Sequence, residues 1–145
     1  STVGSSTALG ATFEDHAAII AFVPQAQRAR MGVCADTCHL YSAGHDLVRD
    51  FDGVWARFDD VVGRDRLRAL HLNDSKTPFA SRRDRHELIG EGTLGAKPFR
   101  RIMTDERFAA VPKVIETPKL DDAAKTDRRM LKRLRGYRVA PRRKG

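Results

Sequence analysis

Strand-like and helix-like segments alternate along this chain, and that alternation leaves few folds open. Arg30 to Asp36 (RMGVCAD), Leu67 to Asp74 (LRALHLND) and Lys113 to Thr117 (KVIET) are short and apolar enough for buried strands. Helical patterns fill the intervals. The clearest spans His45 to Gly63, where Leu47, Phe51, Val54, Trp55, Phe58, Val61 and Val62 step by threes and fours and draw one apolar face. Weaker helices are expected over Phe13 to Gln27, Gly95 to Ala109 and Asp121 to Arg135, the last capped by Asp121 or Asp122. Such alternation predicts parallel βα units with right-handed crossovers. The expected fold class is α/β, with three parallel strands and about four helices. Three strands alone leave sheet edges without neighbours, so the count points to part of a larger sheet.

Coordinating side chains gather where these strands end. Asp36 closes the first strand, with His39 three residues on. His71 lies near the end of the second strand and Glu116 near the end of the third. Between them, the long loop Ser75 to Gly95 carries Asp84 and His86, whose spacing turns both to one side of an extended backbone. Carboxylates and imidazoles at one end of successive parallel strands are how α/β barrels and open α/β sheets build active sites. Asp/His/Glu donors without thiolate suit a hydrolytic zinc or manganese centre better than a structural zinc. Asp74 and Asp46 read instead as turn or helix caps, and His16 and His45 as surface or satisfied core residues.

Charge and cysteines add less. The chain has 145 residues and a formal charge of +8. Residues 121–145 carry ten Lys/Arg against three Asp/Glu, so the basicity is a property of the tail. Such a tail either attracts nucleic-acid phosphate or is simply solvated. Cys34 and Cys38 lie too close together to staple a fold, and no second Cys/His pair at finger-like spacing accompanies them. They read as reduced, structural thiols. No apolar run approaches the roughly 20 residues of a membrane span, and Ser1 to Gly10 has no signal-peptide pattern, so a cytoplasmic address is expected.

The longer motifs resemble a known family. GVCADTCHLYSAGHDL (Gly32–Leu47), HLNDSKTPFASRRDRHELIGEGTLG (His71–Gly95) and VIETP (Val114–Pro118) resemble the endonuclease IV family of apurinic/apyrimidinic endonucleases. The resemblance runs from about Ser1 to Gly136. It implies the C-terminal half of a (β/α)8 TIM barrel over residues 1–136, followed by a basic tail at 137–145. It further implies a trinuclear zinc site at the strand ends. His39, Asp84 and His86 would hold one zinc, and Asp36, His71 and Glu116 a second, Asp36 and Glu116 acting in catalysis through the metal. The implied reaction is hydrolysis of the phosphodiester 5′ to an abasic site in DNA by a metal-bound hydroxide, with Arg85 meeting the DNA backbone.

The same resemblance implies that two histidines and a bridging glutamate belong to an N-terminal half-barrel, required in cis or in trans. Gly4-Ser5-Ser6 departs from the family's Gly-Gln-Gly, and the basic tail has no counterpart there. A second expectation is therefore a half-barrel that binds metal and nucleic acid without cleaving. A third is a metal-dependent sugar isomerase or epimerase barrel. Its strand-end chemistry is similar, but the DTCH, HLNDSK and DRH combination argues against it.

Overall fold

A computed structural model of the protein describes residues 9–138; Gly4-Ser5-Ser6 and tail residues 139–145 lie outside them. Three strands, β1 (Val33–Asp36), β2 (Leu67–His71) and β5 (Lys113–Val114), form a parallel sheet in the order β1-β2-β5. The register sets Asp36 beside His71, and His71 beside Val114. The ends expected to carry chemistry therefore lie level. Among the described residues β1 and β5 each pair on one side only.

The ladder is shorter than the apolar segments. Backbone pairing with β5 ends at the bond from Leu72 N to Val114 O, 2.8 Å. Beyond it a side chain takes over: Glu116 N donates to Asn73 Oδ1 at 2.8 Å. A buried backbone donor needs an acceptor, and here the strand lends one from its side chain.

All four expected helical regions are helical, with boundaries set by caps and proline. The first divides into α1 (Phe13–Phe22) and α2 (Gln25–Arg28). Pro24 separates them by driving Val23 into extended backbone, with ψ 139°. Thr12 and Asp15 form a reciprocal capping box at the start of α1. The second region begins six residues later than expected, as α4 (Phe51–Val61). Asp46 accepts from Val48 N and Arg49 N in a separate turn, and Asp50 then caps α4 through Gly53 N. Gly95–Ala109 becomes α5 (Ala96–Thr104) and a 3-10 turn at Glu106–Phe108. The last is α6 (Ala123–Tyr137), capped by Asp122. Its final turn crosses the expected domain boundary at residue 136.

Three short elements leave no mark in the sequence pattern. A short helix, α3 (Thr37–Ala43), follows β1 directly and ends on Gly44 at φ 107°, a left-handed conformation suited to glycine. Within the long loop, β3 (Asp74–Ser75) and β4 (His86–Glu87) pair antiparallel. The core is aliphatic around an aromatic group. Trp55 lies 4.8 Å from Phe108 and 5.7 Å from Phe58, and Phe58 meets Phe13 edge-on at 5.4 Å. Among the described residues no helix is long and apolar enough to cross a membrane.

Candidate metal centre

Asp36 is both the last residue of β1 and the N-cap of α3. Its Oδ1 accepts from Cys38 N (2.8 Å) and His39 N (3.1 Å). A carboxylate is well placed at a helix N-terminus, where backbone N–H groups lack partners. The cap turns the chain at once into a helix and carries His39 back over the sheet end. It also leaves Oδ2 facing inward, 3.5 Å from His71 Nδ1 and 3.9 Å from His86 Nε2. Asp36 is only 3% exposed.

His71 reaches the same place through the parallel register, and Glu116 through the segment beyond β5. Glu116 Oε2 lies 3.7 Å from His71 Nδ1. His71 thus stands between Asp36 and Glu116, while the sets whose ligand atoms all lie within 4.8 Å of one another among the described residues are His39, Asp84 and His86, and Asp36, Cys38 and His86.

The loop residues arrive by the antiparallel pairing. Ser75 opposite His86 folds the loop back on itself and returns His86 to the sheet end. Asp74, fully buried, accepts from Ser75 N, Gly90 N, Gly92 N and Leu94 N and so ties down the far side of the loop. Gly92 packs so near that a Cβ there would stand 2.4 Å from Ser75 O. In this setting Asp84 and His86 share a side. Asp84 Oδ2 is 3.1 Å from His39 Nε2, and Asp84 Oδ1 is 3.1 Å from His86 Nε2. Asp84 and Glu116 are the open members, their side chains 44% and 68% exposed.

The donor set fits a divalent cation. His86 Nδ1 lies 2.8 Å from Glu116 O, an acceptor, so that nitrogen carries the proton and Nε2 presents a lone pair. Nε2 is buried, makes no hydrogen bond, and faces two carboxylate oxygens. Acceptors opposed across 3.1 Å call for a proton or a cation between them. Imidazole and carboxylate together suit borderline and hard divalent metals.

Cys38 Sγ also lies near Asp36 and His86. Burial pushes its thiol up to about 11, and Sγ donates to Arg85 O at 3.7 Å. A thiol held protonated is a poor ligand. His45 stacks on Phe13 at 4.1 Å, and His16 Nδ1 meets Thr12 O at 2.8 Å, both away from the centre. Arg85 is bonded through Nη1 to Asp84 O, 2.7 Å. Asn73, inside the HLND motif, escapes sequence reasoning; it bonds to Asp36 and to the Glu116 backbone. A polar residue in a strand-end run is the only available signal.

A parallel βα array with an Asp/His/Glu centre at its strand ends defines a barrel-type metal site. The chain belongs to the Xylose isomerase-like TIM barrel family, whose profile matches residues 2–134. Among curated relatives it is 54% identical over 123 residues to "Probable endonuclease 4" of Geobacter sulfurreducens, covering 83% of this chain and 41% of that one. With "Probable endonuclease 4" of Phocaeicola vulgatus it shares 51% identity over 110 residues, covering 76% and 38%. The crystal structure of endonuclease IV from Thermus thermophilus superposes with a TM-score of 0.80 at 34% identity, covering 94% of this chain and 47% of that one. The chain thus spans less than half the length of these relatives, and its fold is part of a (β/α) barrel.

Proposed function

We propose that this chain supplies the C-terminal, ligand-rich half of a zinc-dependent DNA-repair endonuclease that hydrolyses the phosphodiester 5′ to abasic sites. The observation that carries the reading is a linked set of contacts at the strand ends: Asp84 and Asp36 face the buried His86 Nε2, Asp84 also meets His39, and His71 lies against Asp36 and Glu116. His39, Asp84 and His86 hold one zinc; Asp36, His71 and Glu116 hold a second. Zinc bound there supplies Lewis-acid activation of water and of phosphate oxygens. The residues do the positioning. Asp36 is fixed by the α3 cap, His86 by the Glu116 carbonyl, and the exposed Asp84 and Glu116 carboxylates face the side from which DNA arrives. Arg85 offers its remaining guanidinium donors to a backbone phosphate. A cytoplasmic address, with DNA as partner, belongs to the same reading.

The share of the relatives' length that is matched, 41% in the Geobacter protein, favours assigning cleavage to the complete barrel. The chain alone then binds metal and nucleic acid without efficient incision. The test uses an abasic duplex, with zinc or chelator, and two proteins: the 145-residue chain and its fusion to the N-terminal half of the Geobacter relative. Zinc-dependent incision 5′ to the abasic site is expected from the fusion and little from the chain. A fusion that folds and binds zinc but leaves abasic DNA intact overturns the endonuclease reading. Robust incision by the chain alone overturns the division of labour.

A further inference from the structure

We propose that Asn73 is the positioning residue of the second metal group, setting Asp36 and Glu116 relative to one another across the three strands. The inference rests on the metal reading above. Asn73 is fully buried two residues past the end of β2, the strand that lies between β1, which ends in Asp36, and β5, which leads to Glu116. Its Nδ2 donates to Asp36 Oδ2 at 2.7 Å, and its Oδ1 accepts from Glu116 N at 2.8 Å. The two partners fix the orientation of the amide: Glu116 N can only donate, and an ionised Asp36 can only accept. Glutamine would carry its amide one methylene further from the backbone than these two bonds require. Aspartate would set two carboxylates face to face.

The backbone of Asn73 is held as firmly. Its N–H donates to Thr37 Oγ1 at 2.9 Å, and its carbonyl accepts from the same hydroxyl at 2.7 Å. Thr37 directly follows Asp36, so this pair of bonds locks the end of β2 to the α3 cap. The lock decides which lone pair of Asp36 is available. Oδ1 is occupied by the N–H groups of Cys38 and His39. On Oδ2 the Asn73 amide takes one side and leaves the other toward His71 and His86, 3.5 and 3.9 Å away. Without the amide, Asp36 keeps its cap bonds through Oδ1 but loses the bond that orients Oδ2, and Glu116 loses the bond that draws its backbone to the sheet. Outer partners of metal ligands characteristically change affinity by about 10–100-fold.

The experiment measures zinc affinity of the 145-residue chain by competition with a chromophoric chelator. Asp84→Asn isolates the second group, and Glu116→Gln isolates the first. Asn73→Ala is expected to weaken zinc about 10–100-fold in the first background and to leave it within about threefold in the second. Equal losses at both groups would mean a purely structural residue and overturn the proposal, as would wild-type affinity at both. Parent chains that bind no zinc would overturn the metal reading itself, a separate failure. If Asn73→Ala does not fold, NMR of the 15N-labelled wild type decides. The Asn73 side-chain amide is expected to exchange slowly and to shift on adding zinc; rapid exchange without a zinc-dependent shift overturns the assignment.

Discussion

Nδ1 of His86 lies 2.8 Å from the carbonyl oxygen of Glu116, so a side chain of one ligand group is steadied by the backbone of the other. The two groups are therefore mechanically joined as well as adjacent. Removing the imidazole takes away a proposed ligand and also releases the carbonyl of Glu116. His86→Ala is expected to weaken zinc at the His39–Asp84 side by at least ~100-fold and at the Asp36–His71–Glu116 side by about 10-fold. Chelator competition in the single-group backgrounds reads both. An unchanged second group would show that the backbone link carries no coupling.

Asp74 gives a stability prediction with a pH signature. Its carboxylate accepts four backbone N–H groups, from Ser75, Gly90, Gly92 and Leu94. In Asp74→Asn the amide must turn an NH2 toward one pair of these donors. The expected loss at neutral pH is about 2 kcal/mol, the penalty for leaving buried donors unsatisfied, read by chemical denaturation. Burial, opposed by those N–H groups, holds the Asp74 carboxyl above its ordinary 3.8. Between 3.8 and the raised value the folded chain keeps a proton that the unfolded chain has released. The Asp74 contribution is thus fully present below 3.8 and is lost as pH rises through the folded value. Asp74→Asn should lack that slope.

The same residues show what is legible in sequence. Strand ends are readable, because apolar runs end in Asp, His or Glu: His39, Asp84 and His86 meet, Asp36 faces His86, and His71 lies between Asp36 and Glu116. Boundaries are less so. The apolar face from Leu47 to Val62 is continuous in sequence, yet two successive Asp caps delay α4 to Phe51. The seven-residue α3 is too short to show a period, and it forms because Asp36 caps it. Asn73 and Asp74 are opaque for a different reason. Their partners lie 43 and up to 20 residues away, and local pattern carries no record of such bonds.

His45 predicts acid sensitivity separate from the metal centre. Its ring stacks on Phe13 at 4.1 Å, and burial depresses its pKa below 6.5, outweighing the opposing bond to the Ala11 backbone. Glu14 favours the charged ring, while Arg57 and His16 disfavour it. The unfolded chain takes up a proton first, so this contribution is present above 6.5 and is lost as pH falls through the folded value. Subtracting the stability curve of His45→Gln from that of the wild type cancels the other histidines. The difference should slope by up to about 1.4 kcal/mol per pH unit below 6.5. A flat difference would show that His45 takes up its proton equally in the folded and unfolded chains, contrary to the burial argument.

Trp55 separates shape from hydrogen bonding in the core. It is 0% exposed among Phe51, Phe58 and Phe108, and its Nε1 is buried without a hydrogen-bond partner. Trp55→Ala is expected to cost about 3–5 kcal/mol through the cavity it leaves. Trp55→Phe should cost less than half as much, because the smaller ring also removes an unsatisfied donor. Denaturation followed by far-UV circular dichroism reads both variants. Equal costs would mean that the intact indole, rather than the volume filling the core, governs this site.

Arg85 and the basic tail make distinct predictions for DNA. Arg85 stands between the proposed ligands Asp84 and His86 and is anchored to the Asp84 carbonyl, so in the proposed reading it addresses one phosphate beside the centre. Each phosphate contact adds about one to the slope of log affinity against log salt. Arg85→Ala should therefore flatten that slope by about one, and Arg85→Lys should restore the slope while losing the paired bonds of the guanidinium. Deleting 139–145 removes Arg142, Arg143 and Lys144. If all three reach phosphate, the slope falls by about 2.7; if they are merely solvated, it stays unchanged. Fluorescence anisotropy with a duplex from 50 to 200 mM salt, at fixed zinc, distinguishes the cases. A slope untouched by Arg85→Ala would remove Arg85 from the proposed DNA interface and leave that role to the tail or to the other half of the barrel.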